Sequence, residues 1–463
     1  MCEGFATQIL RDPSCPLGSG PITRPVLVLG AQPHFALTIA RSLHRRGIPV
    51  TIATSSLKGP RLSSRAIRRF VRLPSHQHRP DEFIAALSAL IRSEKFDMLI
   101  PSSDSALIAL TQHYEYLSTL LHVACPPPHI VKRVVEKPLT FDIAKRCGVN
   151  IPITYLVANS AELESLRTTL RFPVIAKPRS KMDIGTHTFK VRYFQTFEGL
   201  KAAFLADADF GLGNVLQEYC PGEGVAIGTL IHKGEPIAMF QDRRLKEMQG
   251  TSVMTSSEEL DPVLRQWSLT LLRDVGWEGI AMVEYRHNRC DGTAALLEVN
   301  GRYWGSLALA VHAGIDFPFY EWQLAHGEKP QVPSRYHVGM RARWIAGDIL
   351  RLHSLFKDPI SVGFPRPSGW KELVRFLTDF KPRTRAVLWS IGDPVPFLLD
   401  VGHTLKRLAA EDAKAIIKRL LPRRMANLLR TYKRYATMVG SRAGAGHKVG
   451  VSLNPGDRGG KNS

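Results

Sequence analysis

The stretch "LLEVNGRYWGS", residues 296–306, decides how this chain is read. Its apolar run has the character of a buried strand that leads into a loop. Side chains two apart on a strand point the same way, so Glu298, Asn300 and Arg302 emerge from one face. A carboxylate and an amide oxygen are hard ligands of the kind Mg²⁺ takes. The guanidinium beside them is a fixed fork for a carboxylate or a phosphate. A second carboxylate, Glu284, lies in "GIAMVEYRH", which reads as the partner strand of a hairpin turning at "NRCDGT". Two carboxylates, an amide and an arginine are what a site needs to hold metal-bridged phosphates next to an anionic substrate. An E-x-N-x-R string alone is usually a solvated strand face, so the rest of the chain must decide.

Upstream, Pro126–Pro128 mark a boundary and Lys137 opens a helix. A lysine there opposes the helix dipole, which hints at another role. Val174–Ala176 reads as a buried strand closed by Lys177, and an apolar strand ending in a cation calls for an anionic partner. The loop that follows carries Arg179, Ser180, Lys181 and Gly185; cations and backbone N–H groups in a tight turn form a phosphate cradle. Val215 and Leu216 end a strand in Gln217, Glu218, Tyr219 and Cys220. Read as an edge strand, it offers a purine one side-chain acceptor and two backbone groups, with Glu223 in reach of a ribose hydroxyl. The strand ending in Arg243, Arg244 and Lys246 is either a solvated edge or an anion site.

Residues 25–123 alternate strand and helix in the manner of βαβ units. Only Gly30 stands where a dinucleotide fingerprint needs three glycines, so NAD binding is not expected. The strand at "FDMLIPSSDSA" ends in Pro101, Ser102, Ser103 and Asp104, at the carboxyl end where open α/β sheets bind ligands. Asp104 is either part of such a site or a helix cap.

Composition bounds the class. The 463 residues are 44% hydrophobic and 22% charged, the profile of a globular protein. Six scattered cysteines without a C-x-x-C pair speak against zinc or a disulfide framework. With no secretory pattern at the start and no long apolar run, the expectation is a reducing, cytoplasmic location. The net charge is +21, and residues 402–463 hold fourteen Lys and Arg against three Asp and Glu. This basic tail reads as a solvated or packed helix, with peripheral membrane contact as the alternative. A nucleic-acid partner is not expected.

In this order, Lys137, Lys177, Gln217–Cys220, Glu284 and Glu298–Asn300–Arg302 resemble the ATP-grasp superfamily, and "FQDRRLKEM" and "EVNGRYWGSLALAVHAGIDFP" resemble its bacterial carboxylate–amine ligases. The resemblance implies an α/β chain, α+β in the ATP-grasp portion. A disordered N-terminus (1–24) would precede a Rossmann-like pre-ATP-grasp domain (25–125). A two-subdomain ATP-grasp fold (126–330), a helical accessory region (331–405) and a basic tail (406–463) would follow. It implies ATP with Mg²⁺, or Mn²⁺ in its place, and small-molecule carboxylate and amine substrates. Lys137, Lys177, Arg179 and Ser180 would contact phosphates; Gln217, Glu218, Tyr219 and Cys220 would clamp adenine, and Glu223 would take the ribose. Glu284, Glu298 and Asn300 would ligate the metal. Arg302 would steady an acyl phosphate or its carboxylate precursor, making Arg302 and Lys177 the catalytic pair. One departure stands out: the phosphate loop, glycine-rich in that family, is "PRSKMDIGTHT" here, with one glycine. Arg179 and Lys181 are its available compensation, and residues 179–187 are the expected lid.

Overall fold

A computed structural model describes residues 24–55, 62–181, 191–207, 210, 214–248, 250–357 and 368–420. The expected lid, from residue 182 onward, lies outside them, as does most of the basic tail. The described chain divides into two units, the first ending at Val401 and the second starting at Gly402.

Three sheets make up the first unit. β1 (Val26–Leu29), β2 (Val50–Thr54), β3 (Arg69–Arg72), β4 (Met98–Pro101) and β5 (His122–Val123) pair in parallel in the order β3-β2-β1-β4-β5. The continuous Val, Leu and Ile runs of β1 and β4 are buried on both faces, as parallel strands under helices must be. Helices Pro33–His44 and Pro80–Glu94 supply the crossovers, each started by a proline in its first turn.

The second sheet is small and antiparallel: β6 (Thr154–Val157), β7 (Val174–Pro178), β8 (Arg192–Phe194) and β9 (Asn214–Glu218), in the order β6-β9-β7-β8. Its core, built on Leu163, Val174, Phe197, Leu200 and Leu216, is separate from the rest. The strand read as an edge, β9, is in fact interior, hydrogen-bonded to β6 on one side and β7 on the other.

The third sheet holds β10 (Glu223–His232), β11 (Glu235–Met248), β12 (Thr251–Glu258), β13 (Gly279–His287), β14 (Ala294–Asn300), β15 (Arg341–Arg343) and β16 (Thr384–Ala386), in the order β14-β13-β10-β11-β12-β15-β16. The central strands β10 and β13 are buried on both faces, and each face shares a core with the parallel sheet. Leu27, Leu99 and Leu107 lie in one cluster with Val225, Val283 and Leu296. Val28 and Ile39 lie in another with Phe240, Trp304 and Leu307. Two shared, close-packed cores fix the parallel sheet against the large one, so side chains from both meet reproducibly at their common border.

Candidate functional site

The hairpin expected at "NRCDGT" is present. Glu284 on β13 and Glu298 on β14 are direct cross-strand partners. Asn300 emerges on the same face and donates its amide to Glu284 Oε1 at 2.9 Å and to Glu298 Oε1 at 3.3 Å. The next residue must be glycine, because a Cβ at Gly301 would penetrate the indole of Trp277, 2.8 Å from its Cζ2. Tight packing there turns the chain so that Arg302 leaves toward the parallel sheet. Its Nη2 donates to Asp104 Oδ2 at 2.6 Å, and its Nη1 to the Tyr303 carbonyl at 2.9 Å.

Asp104 is not the helix cap. Ser103 caps the helix Asp104–Thr111, accepting the Ala106 N–H at 3.1 Å. The Asp104 side chain is thereby left for Arg302, and it reaches Lys181 as well. Lys181 sits at the centre of the group. Its ammonium donates to Asn300 Oδ1 at 2.7 Å and lies 3.6 Å from both Asp104 Oδ1 and Glu298 Oε2. Its backbone is held against the helix junction at Lys137: Glu136 bridges Ser180, the Lys137 N–H donates to the Arg179 carbonyl, and the Lys181 N–H to that of Val135, both at 3.3 Å. This antiparallel clip places the buried Lys137 beside Lys181.

The electrostatics follow from this crowding. Burial works against the Asp104 carboxylate, but Arg302 and Lys181 outweigh it and hold its pKa well below the carboxylate range. Glu298 is likewise lowered, the lysines 181, 137 and 177 overcoming its desolvation. Glu284 goes the other way: burial and the neighbouring Glu298 raise it against the pull of Arg244. Desolvation pushes Lys137 down to about 8, with Glu298 pulling it back and Lys181 adding to the fall. Lys177 is lowered by the same burial, opposed by Glu298 and Glu284. Acidic and basic groups here are too few angstroms apart to titrate independently.

β11 resolves the choice left open for its cations: it is an interior strand, and none of the three is a solvated edge residue. Arg244 donates to Glu284. Arg243 holds Glu223 through paired bonds of 2.9 and 3.0 Å and Glu258 at 2.5 Å. Lys246 bridges Asp348 and Asp379 at 3.1 and 2.8 Å. Glu223, expected at a ribose, is thus engaged by Arg243 and by Arg289 Nε at 3.2 Å.

On the small sheet, Gln217 is buried and donates through Nε2 to Thr154 Oγ1 at 3.0 Å, while its Oε1 is a buried acceptor without a partner. Such an orphan normally calls for a donor from outside, and the amino group of a purine is one. The Glu218 and Tyr219 N–H groups already donate to the Ile153 and Pro173 carbonyls. The Glu218 carboxylate accepts from Tyr155 at 3.2 Å, and Cys220 is a half-buried free thiol. Arg179 and Ser180 enter through the clip at Lys137.

The structure therefore brings Lys137, Lys181, Glu284, Glu298, Asn300 and Arg302 together, with Asp104 and Arg244 as members that sequence reasoning had left undecided. Asp242 it missed: this buried carboxylate two positions before Arg244 accepts from Ser306 Oγ at 2.6 Å, and burial raises its pKa to about 7. The alternation Asp242–Arg244 on one strand was the available signal. Among the described residues no three His, Cys, Asp or Glu side chains converge as a metal cage. Two carboxylates and an amide oxygen nevertheless suit Mg²⁺, which keeps several waters and completes its shell with substrate phosphates. Lys181 and Arg244 occupy these oxygens as counter-charges, and the high proton affinity of Glu284 marks a carboxylate pair in need of one. The donor set fits.

A family model described as "ATP-grasp in the biosynthetic pathway with Ter operon" matches residues 213–347, which contain Gln217, Arg244 and the Glu284–Arg302 face. No curated protein matches by sequence. Solved structures share the fold. An L-amino acid ligase from Bacillus licheniformis aligns at 20% identity and TM-score 0.53, covering 66% of this chain and 75% of that one. N5-carboxyaminoimidazole synthetase from Staphylococcus aureus, complexed with ADP, aligns at 13% and 0.54, covering 69% and 80%. The biotin carboxylase domain of 2-oxoglutarate carboxylase from Hydrogenobacter thermophilus, with MgADP and bicarbonate, aligns at 13% and 0.55, covering 70% and 74%. The family model thus covers the stretch from β9 to the start of the helix at Ile345, and the solved structures show that the chain has an ATP-grasp fold.

Proposed function

We propose that the chain is an ATP- and Mg²⁺-dependent ligase that activates a substrate carboxylate as its acyl phosphate and joins it to an amine. The observation that carries this reading is the continuous network Asp104–Arg302 and Asp104–Lys181–Asn300–Glu298, extended through Glu284 to Arg244. Cations and hard oxygen ligands alternate there within hydrogen-bonding or ion-pairing distance. In-line phosphoryl transfer between two anions is a problem of charge and position, and such an array addresses both.

In this reading Gln217 Oε1 accepts from the adenine amino group, and Lys137, Lys177 and Lys181 offset phosphate charge. Glu284, Glu298 and Asn300 Oδ1 would hold Mg²⁺, which would supply positive charge to neutralise the phosphates as charge develops. Arg302, aimed by Asp104, holds the substrate carboxylate. A carboxylate oxygen attacks the γ-phosphorus, its bond to the β,γ-bridging oxygen breaks, and ADP leaves. The neutral amine then attacks the acyl carbon, the C–O bond breaks, and inorganic phosphate leaves as the nitrogen gives up a proton to it or to water. The likeness to an amino acid ligase and to ADP-bound synthetases supports the reading at the level of fold.

The test is ADP and phosphate release by the purified chain with Mg²⁺, over pools of carboxylates and amines, with Glu298→Ala in parallel. Turnover that needs both a carboxylate and an amine and drops by about 10²-fold or more in the variant supports the ligase. Turnover on bicarbonate alone favours carboxyl transfer of the biotin-carboxylase kind. ATP binding without turnover on any pool favours a non-catalytic nucleotide-binding module.

A further inference from the structure

The helix Gly369–Thr378 turns much of its apolar surface outward, although Phe376 packs inward under Arg343 at 4.3 Å. Its inward side carries Glu372, a buried carboxylate that accepts from Arg351 Nη1 at 2.5 Å and from Arg375 Nη1 at 2.8 Å. Its outward side carries Trp370, Val374 and Leu377, which recur at i, i+4 and i+7 and are 72, 60 and 65% exposed. Phe380, 64% exposed, prolongs this face beyond the helix, and Phe356 packs edge-on against Trp370 with ring centroids 5.6 Å apart. A helix on a folded domain ordinarily does the opposite, and a contiguous exposed apolar face marks an interaction site.

The charges around it are of one sign. Lys371, Arg375, Lys381 and Arg383 are exposed. The four acids between residues 368 and 400 are all turned inward: Glu372 to Arg351, Asp379 to Lys246 at 2.8 Å, Asp393 to Arg41 at 2.9 Å, and Asp400 to the Trp344 indole N–H at 2.8 Å. Within this segment the face thus has an apolar centre with an indole, and its exposed charges are cationic.

We propose that this face docks on an anionic lipid bilayer. Trp, Leu and Phe inserting at the headgroup–acyl boundary while Lys and Arg stay at the phosphates is the arrangement an interfacial helix requires. Charge argues against the other occupants. A second copy would oppose one cationic fringe to another, and residues 421–463 of the chain carry nine Lys and Arg against one Asp. The +21 net charge adds long-range attraction to the same surface. This binding function is independent of the ligase reading. It has a route to the site: Arg351 also donates to the Glu247 carbonyl at 3.2 Å, and Asp379 holds Lys246, both on the strand that carries Arg244.

The experiment is co-sedimentation of the full chain with phosphatidylcholine vesicles, with and without one third phosphatidylglycerol, at low and high salt. Trp370→Ser/Leu377→Ser is compared with the parent. Both side chains are exposed, so the thermal melting of the variant should match that of the parent. Binding is expected on anionic vesicles only, falling with salt and falling at least about tenfold in the variant. Brominated lipid should quench a fluorescence component that Trp370→Phe lacks. Equal binding by parent and variant would place the contact elsewhere, and absence of binding to anionic vesicles would overturn the proposal. So would a variant whose only change is lost self-association or lost capture of an acidic protein.

Discussion

Replacing Asp104 by asparagine should uncouple the parallel sheet from the large one at the site. The Asp104–Arg302 contact is 2.6 Å long, and its two side chains are only 18 and 16% exposed. Breaking a buried pair by removing one partner costs about 3–5 kcal/mol, because the surviving charge stays buried. Residual exposure and the nearby Lys181 place Asp104→Asn at the lower end, about 3 kcal/mol. Arg302→Gln should cost a similar amount, since it strands Asp104 beside Lys181 alone. The informative quantity is the double-mutant cycle, read by guanidinium denaturation at pH 7. Residues in direct contact couple, whereas independent ones add within about 0.5 kcal/mol. A coupling of at least about 1.5 kcal/mol is expected; additivity within about 0.5 kcal/mol would refute the reasoning. The sign with pH is fixed too. The folded pKa of Asp104 is depressed, so the pair's contribution is complete above the unfolded value of about 3.9 and is lost only as pH falls below it. Coupling that faded instead between pH 5 and 8 would have another source.

Three further outcomes follow from the same geometry. Gly301→Ala would drive a Cβ into the Trp277 indole and should destabilise the chain by about 1–3 kcal/mol, measured by chemical denaturation. Asp242→Asn should alter the pH dependence of stability: because burial raises the folded pKa to about 7, the parent loses stability as pH rises from about 4 to 7. The variant should lack that share and be relatively more stable at pH 8 than at pH 5, whereas identical profiles would show Asp242 ionised throughout. Lys137, held down to about 8 by desolvation, must take up a proton to meet a polyphosphate at higher pH. ATP affinity in the parent should therefore fall as pH rises above 8, and Lys137→Arg should flatten that fall; calorimetric titration at pH 7 to 9 reads it.

What the sequence made legible was whatever a short-range period controls. Glu298, Asn300 and Arg302 share a face because strand side chains alternate, and Glu284 meets Glu298 because a tight hairpin sets the register. What stayed hidden depends on neighbours remote in the chain. Whether Gln217 stands on an edge is decided by β6, some sixty residues earlier. The two readings of Asp104 were settled by Ser103, which caps the helix and leaves the carboxylate for an arginine 198 positions away. Lys181 was legible only as a loop cation that could compensate for missing glycines, because nothing local announces that the clip at Glu136 and Ser180 carries it to Asn300.

Those hidden residues bear on the glycine-poor phosphate loop. A loop rich in glycine meets phosphate with backbone N–H groups that approach closely. Here the cationic potential comes from side chains held by tertiary contacts. Lys137, Lys177, Lys181, Arg244, Arg286 and Arg302 face the carboxylates of Asp104, Glu247, Glu284 and Glu298. With Asp242 beside Arg244, six cations face five carboxylates, an excess that would suit the polyphosphate and carboxylate of the proposed reaction. Lys181 holds the Asn300 oxygen that a metal would need, so in the proposed reading metal binding would require Lys181 to give up that contact, and its charge would then be available to offset a phosphate.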